Sequence, residues 1–141
     1  LHGSSAASDV YKRQLLKFNE IHKLRRSNKE KIQKSLESID GVRVVNEKPD
    51  AETSWFGVPI ICDNKDLKAS LVAYLEKNKI QTRNYFAGNI LLHPGYRDLG
   101  KASDYPNANQ VLDKVFFLGC SPTINKDMIS YIDEVVRNYE F

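Results

Sequence analysis

The spacing of apolar residues, which changes repeatedly between a helical and an extended period, is the feature that most constrains this fold. Apolar residues that recur every three or four positions predict amphipathic helices, and short β-branched or aromatic runs predict strands. Three helices follow from this spacing: Leu15–Ser38 with Gly41 as its stop, a helix capped by Asp63 or Asn64 and closed by Asn78, and a last helix capped by Thr123.

Four extended runs alternate with these helices. They are Val42–Val45, Ser54–Cys62, Ile80–Tyr85 and Val115–Cys120. Pro59 predicts that the second run is an edge strand or is interrupted there. Glycine and proline make residues 87–110 irregular, apart from a short helix near 107–114. The order of elements predicts an α+β fold, in which a small and mostly antiparallel sheet carries helices on one side.

The length of 141 residues allows one domain, and 41% hydrophobic with 28% charged residues is ordinary for a soluble globular protein. No apolar run approaches the roughly 20 residues of a membrane helix, and no secretory leader is recognisable, so we expect a cytoplasmic protein without a membrane partner. Cys62 and Cys120 lie far apart in the sequence, which favours two buried thiols over a metal site.

Positive charge is concentrated between Lys12 and Lys34, where nine Lys/Arg residues face two Glu. Such a basic helix could contact nucleic acid. We favour a solvated helix face, because no aromatic residues are interleaved with the cations and no nucleic-acid motif accompanies them. No nucleic-acid partner is therefore expected.

Residues 1–14 differ from the rest, since they are small, polar and aperiodic, and they resemble a translated adapter sequence. We expect them to be a non-native leader. Residues 15–141 would then form a C-terminal domain whose natural N-terminal part is absent from this chain.

The segment Thr82–Tyr96 has the composition of a ligand-binding loop, with candidate site residues Arg83, Phe86, Asn89 and His93. Arginine suits phosphate, an aromatic ring offers a flat face, and an asparagine amide suits sugar hydroxyls. The alternatives are a surface cation for the arginine, turn chemistry for the asparagine and a structural hydrogen bond for the histidine. The pattern favours binding of a polar, phosphate-bearing small molecule.

Four segments occur in an order that resembles a known family: SWFGVPI (54–60), NKIQTRNYFAGN (78–89), HPGY (93–96) and VFFLGCSPTINKDMISYI (115–132). Together they are similar to the C-terminal small domain of pyridoxal-phosphate-dependent sugar aminotransferases and dehydratases of fold type I. The TR-x-x-FAGN string resembles the branch of CDP-4-dehydro-6-deoxyglucose 3-dehydrase, which acts in lipopolysaccharide biosynthesis. The alternatives are a sugar aminotransferase of the same superfamily and a stand-alone α+β binding module.

This resemblance implies a homodimeric lyase in which pyridoxamine phosphate condenses with a nucleotide-linked 4-keto-6-deoxy sugar, whose C3 hydroxyl then leaves. Some members of that branch add an iron–sulfur cluster and work with a flavin/iron–sulfur reductase. The cofactor, any cluster and the catalytic base belong to the large domain. The resemblance therefore implies a substrate-binding role for Arg83, Phe86, Asn89 and His93, no catalytic residue in this chain, and no activity of the chain alone.

Overall fold

Five α-helices and four strands follow one another within residues 5–141, the part of the chain that the computed structural model describes. They are α1 Ser5–Leu16, α2 Phe18–Leu36, β1 Val42–Val44, β2 Gly57–Cys62, α3 Lys65–Lys77, β3 Thr82–Asn84, α4 Pro106–Lys114, β4 Val115–Gly119 and α5 Lys126–Arg137. Three short 3₁₀ turns at Ile90–Leu92, Pro94–Leu99 and Ala102–Asp104 lie between β3 and α4. The predicted α+β class is confirmed.

The four strands form one sheet in the order β1-β2-β4-β3, and every neighbouring pair is antiparallel. Directly paired residues share a face, so the register defines two faces. The face that we call the covered face presents Val58, Ile60, Phe116 and Leu118, which pack with buried residues of α2, α3 and α5. The opposite face, the open face, presents these residues: Arg43, Gly57, Pro59, Ile61, Arg83, Val115, Phe117 and Gly119.

The prediction that Pro59 marks an edge strand is wrong, because β2 lies between β1 and β4. The main chain of Pro59 faces β1, since its carbonyl oxygen accepts a hydrogen bond from the Val45 amide at 3.0 Å. Regular pairing with β1 stops at Val44. Proline is tolerated because its absent N–H falls at the point where the ladder ends.

Two predicted helix boundaries are corrected by hydrogen bonds. The Asn125 side chain, rather than Thr123, accepts the Met128 amide and caps α5. Helix α2 ends at Leu36, and Gly41, with a φ of +75°, lies in the turn that leads into β1. Of the two caps predicted for α3, Asp63 and Asn64, the structure shows Asn64, whose side chain accepts the amides of Asp66 and Leu67.

The residues expected to be a leader fall mostly within α1, which is separated from α2 by Lys17. Residues 1–4 of that expected leader lie outside the described residues. Its non-native origin stays a prediction. Within the described residues, we find no helix with the length and hydropathy needed to cross a membrane.

The short edge strand β3 is tied to the end of α3 by one carboxylate. The Glu76 side chain accepts hydrogen bonds from the Thr82 amide at 2.5 Å and from the Thr82 hydroxyl at 2.7 Å. These two bonds lower the pKa of Glu76. They fix where β3 starts, immediately before Arg83.

Candidate functional site

A shallow groove of about 220 Å³, which we call the aromatic groove, opens on the uncovered side of the sheet. Gly57, Pro59 and Phe117 of the open face line it. The segment before β2 and the segment after β3 supply the remaining lining residues: Thr53, Trp55, Phe56, Tyr85 and Phe86.

Phe117 is the centre of the aromatic contacts in this groove. Its ring centroid lies 5.8 Å from that of Phe56, 6.2 Å from that of Tyr85 and 6.0 Å from that of Phe86. Phe117 is only 9% exposed, whereas Phe56 and Phe86 are 70% and 72% exposed. Exposed rings on both sides of a buried one provide flat apolar faces against which a ligand ring can stack.

The absence of a side chain at Gly57 allows the Phe117 ring to lie against the sheet. A Cβ atom at Gly57 would lie 2.5 Å from Cδ2 of Phe117 and 2.8 Å from the Leu118 carbonyl oxygen. Gly119 lies directly opposite Gly57 on the same face, and a Cβ there would meet nothing within 4 Å. Of these two glycines, only Gly57 is needed for the Phe117 ring to lie close to the main chain of the sheet.

Two of the aromatic lining residues have a main-chain conformation that is unusual for their type. Trp55 has a φ of +25° and Phe86 a φ of +50°. A positive φ is rare for bulky residues because it strains the main chain. Such strain persists where the surrounding structure holds the residue in place, which is often at functional sites. Both residues line the groove.

Arg83 lies on the open face, because it is paired directly with Phe117. Its side chain is exposed, and it makes no hydrogen bond or ion pair to any residue that the structure describes. The residues that line the groove include no carboxylate. Its charge contributes to the lowered pKa of Glu76 without a direct ion pair, so the guanidinium of Arg83 can still bind an anion at the edge of the groove.

The side chain of Asn89, unlike that of Arg83, is already hydrogen-bonded within the protein. It is 2% exposed, and its amide nitrogen donates to the Ala102 carbonyl at 3.0 Å and to the Asn109 side chain at 2.7 Å. Its amide oxygen accepts the Leu91 amide at 3.1 Å. The side chain is therefore used inside the loop, which it ties to the residues that precede and begin α4.

His93 is exposed in the same loop, and its Nε2 atom lies 3.0 Å from the Ala87 carbonyl oxygen. A carbonyl oxygen can only accept, so Nε2 carries a proton in this contact and Nδ1 is the ring nitrogen that this contact leaves unused. The site prediction therefore separates into three cases. Arg83 and Phe86 adjoin the groove, His93 is exposed in the loop that follows, and Asn89 is internal.

Sequence reasoning missed Phe56 and Phe117 as members of the candidate site. The VFFLG string carried a usable signal, because adjacent phenylalanines in a strand must point to opposite faces. Only one of them can belong to a one-sided core. The string WFG held a second signal, since a glycine beside aromatic residues permits close approach of a ring.

The described residues contain no cluster of three or more His, Cys, Asp or Glu that could hold a metal ion. Cys62 and Cys120 are free and buried, as predicted, and burial raises the pKa of the Cys62 thiol to about 11. A pyridoxal phosphate group would need an amine for its aldehyde and a carboxylate for its ring nitrogen. The groove offers neither, so its lining does not fit that cofactor as the sole holder.

A larger cavity of about 480 Å³ lies beside α5 and includes Leu118 of the covered face in its lining. Its walls are mainly apolar, and none of the four candidate residues contributes to it. The aromatic groove remains the better candidate, because it combines exposed rings with an unpaired arginine on the same face.

Comparison with known proteins gives a consistent result. The model of the DegT/DnrJ/EryC1/StrS aminotransferase family matches residues 4–137. The chain is 32% identical over 130 residues to a dTDP-4-dehydro-2,6-dideoxy-D-glucose 3-dehydratase of Saccharopolyspora spinosa, covering 89% of this chain and 28% of that protein. It is 27% identical over 127 residues to the lipopolysaccharide biosynthesis protein RfbH of Salmonella typhimurium, covering 84% and 28%.

Among solved structures, the chain is similar to E. coli GDP-4-keto-6-deoxy-D-mannose-3-dehydratase with bound hydrated PLP. The TM-score is 0.72 at 25% identity, over 88% of this chain and 33% of that one. The chain thus spans about a third or less of the length of each of these proteins.

Proposed function

Because this chain belongs to the DegT/DnrJ/EryC1/StrS aminotransferase family, we propose that its aromatic groove and Arg83 form one wall of a nucleotide-sugar site in a longer enzyme. The observation that supports this most directly is the unpaired Arg83 beside exposed rings on the open face. In this proposal residues 15–141 are a C-terminal small domain, and pyridoxal or pyridoxamine phosphate is held by the remainder of the protein.

Each residue then has a role that its geometry allows. Arg83 contacts the diphosphate, because a guanidinium donates two parallel hydrogen bonds to phosphate oxygens. Phe86 stacks on a sugar or base ring. His93 accepts a hydrogen bond from a sugar hydroxyl at Nδ1, and Asn89 holds the loop that carries these groups. The groove is smaller than the 300–1,000 Å³ common for whole-ligand pockets, so other parts of the protein must complete the site.

We propose that the intact enzyme is a nucleotide-sugar 3-dehydrase, which removes the C3 hydroxyl of a CDP-4-keto-6-deoxy sugar in dideoxysugar and O-antigen biosynthesis. The 3-dehydratase names of two relatives support the reaction, and the name RfbH supports the lipopolysaccharide setting. Those names mention dTDP and GDP, so the test below compares all three nucleotides. We also propose that the enzyme is a cytoplasmic homodimer. Where it holds an iron–sulfur cluster, it works with a flavin/iron–sulfur reductase.

The competing function is a sugar 4-keto aminotransferase, which the name of the matched family favours. The two functions differ in their products. We would incubate the intact protein with pyridoxamine phosphate and, separately, the CDP-, dTDP- and GDP-linked 4-keto-6-deoxy sugars. A 3-deoxygenated sugar is the expected product, whereas a 4-amino sugar formed with an amino-acid donor would establish the aminotransferase.

Substitution tests the groove itself in the same assay. Replacement of Arg83 by Gln should raise KM for the nucleotide sugar by about tenfold or more, because a hydrogen bond to a charged group contributes about 1.5–3 kcal/mol. The matched control is Arg43→Gln, which removes an exposed arginine from the opposite edge of the same face. Equal KM values for the two variants would place the diphosphate elsewhere.

A further inference from the structure

One side of α2 carries polar residues at helical spacing, and the structure uses them to hold the connection between β1 and β2. We call these residues the polar stripe and the connection 46–55 the linking segment. The stripe consists of His22, Arg25, Arg26, Lys29 and Gln33. Each of its members contacts a residue of the linking segment. This side of the helix is therefore not simply solvated, contrary to the expectation from charge alone.

The stripe joins the two ends of the linking segment through a bidentate ion pair. Arg26 donates to the two carboxylate oxygens of Glu47 at 2.6 and 2.8 Å and to the Thr53 carbonyl at 3.1 Å. The Thr53 amide donates back to Glu47 at 2.7 Å. A bidentate pair of this kind fixes direction as well as distance. It closes the linking segment into a loop whose two ends are joined.

The stripe also fixes the end of the linking segment, at Trp55. Arg25 donates to the Trp55 carbonyl at 3.0 Å, and the Cys120 thiol donates to the same oxygen at 3.2 Å. The Lys29 ammonium lies 4.7 Å from the centroid of the Trp55 ring. It also donates to the Asn46 side chain at 3.1 Å and to Gln33.

Lys29 is the most unusual residue of the polar stripe, because its charged side chain is buried and the residue is only 5% exposed. Burial lowers its pKa, and the carboxyls of Glu37 and Glu47 oppose that change. A cation–π contact is stronger when the cation is desolvated. Lys29 and Arg25 thus hold both the ring and the carbonyl of a residue whose φ of +25° is otherwise unfavourable.

We propose that the polar stripe of α2 positions Trp55 and Phe56 as one wall of the aromatic groove, and thereby sets the affinity of the groove for its ligand. Phe56 follows Trp55 directly and contacts Phe117 from the side opposite β3. Release of Trp55 would let Phe56 leave that contact. The stripe then acts on binding through two aromatic residues, without touching the ligand. The affinity part of this inference rests on the proposed function.

Trp55 is the single tryptophan of this sequence, and in the longer intact protein its emission is isolated as the difference from the same protein carrying Trp55→Phe. The test uses the intact protein with Lys29→Met, which keeps the aliphatic length but removes the charge, and Lys29→Arg, which keeps the charge. The matched control is Lys31→Met, an exposed lysine of the same helix. The measurements are the emission maximum and acrylamide quenching of Trp55, and kcat and KM with the nucleotide sugar that the intact enzyme accepts.

We expect Lys29→Met to increase quenching of Trp55 and to raise KM by about threefold to tenfold with little change in kcat. This is less than the roughly thirtyfold equivalent of one whole desolvated cation–π contact, because Lys29 acts on binding only through Trp55 and Phe56. Lys29→Arg should recover most of both changes, and Lys31→Met should match the unsubstituted protein. If Lys29→Met does not fold, Arg25→Gln removes the hydrogen bond to the Trp55 carbonyl and carries the same expectation.

The outcomes separate the two proposals when Phe86→Ala is measured alongside. A raised KM for Phe86→Ala with an unchanged KM for Lys29→Met overturns the positioning role and leaves the groove as the binding site. An unchanged KM for Phe86→Ala overturns the groove function, while Trp55 quenching still tests the contact with Lys29. Equal increases in KM for Lys29→Met and Lys31→Met would indicate general electrostatics and would also overturn the positioning role.

Discussion

The two faces of the central sheet are built from the same strands, and they differ in what covers them. Phe116 and Phe117 are neighbours in β4, yet Phe116 is fully buried under the helices and Phe117 forms part of a groove. On the covered face, Val58, Ile60, Phe116 and Leu118 are all at most 2% exposed. On the open face, Phe56 and Phe86 remain mostly exposed. A contiguous set of exposed aromatic residues indicates a contact surface, because monomeric proteins rarely leave one uncovered.

The sharpest test of this difference compares one aromatic residue from each face. Phe116→Ala should lower the free energy of unfolding by about 3–5 kcal/mol, because it leaves a cavity in a packed core. Phe86→Ala should change it by less than about 0.5 kcal/mol, because the ring is already exposed. Urea unfolding followed by circular dichroism measures both. A large loss of stability for Phe86→Ala would show that its ring is structural.

A second test concerns the shape of the open face alone. Gly57→Ala should lower the free energy of unfolding by about 1–3 kcal/mol, since the added methyl group collides with the Phe117 ring and with main chain. Gly119→Ala is the control, because the same methyl group there meets nothing within 4 Å. The same urea titration distinguishes them. Similar losses for the two variants would contradict the close packing of Phe117 on Gly57.

The smallest expected effect is a change in Trp55 quenching at low pH, which follows from the lowered pKa of Glu47. Hydrogen bonds from Arg26 and from the Thr53 amide lower the pKa of Glu47 from its ordinary value of 4.5 to about 2. A depressed carboxyl pKa stabilises the folded state above the ordinary pKa, and this contribution is lost as the pH falls from about 4.5 to about 2. We therefore expect Trp55 quenching to increase over that range before the circular dichroism of the core changes.

Glu47→Gln should show part of that increase already at pH 7 and a flatter dependence below pH 4.5. The control Glu134→Gln alters an exposed carboxyl on α5 and should behave as the unsubstituted protein does. If the unsubstituted protein, Glu47→Gln and Glu134→Gln all show the same pH dependence of Trp55 quenching, Glu47 does not hold Trp55 in place.

Sequence patterns predicted those parts of the fold that depend on local chemistry. The Asn64 cap, the apolar side of α3 and the four extended runs were found because each is decided by residues close together in the chain. The position of Pro59 in a central strand was predicted wrongly. Whether its missing N–H matters depends on where the neighbouring strand ends, which is a long-range property.

The candidate site shows the same division. Arg83 and Phe86 were identified from one segment, and they adjoin the groove. Phe117 and Phe56 come from distant segments and could not be joined to them without the register. The side chain of Asn89 suits sugar hydroxyls, but it bonds instead to Ala102, in the loop before α4, and to Asn109 in α4. The path that brings these residues to Asn89 is not specified by the local sequence.

The bonds between Glu76 and Thr82 have a consequence for the behaviour of the protein at high concentration. β3 is an outer strand of the sheet, and an outer strand with free amides can recruit a strand from another molecule. The amide of Thr82 is already bonded to the Glu76 carboxylate, and the strand is only three residues long. This margin of the sheet is therefore a poor template for intermolecular β-pairing, so the groove can stay open without making the neighbouring strand prone to aggregation.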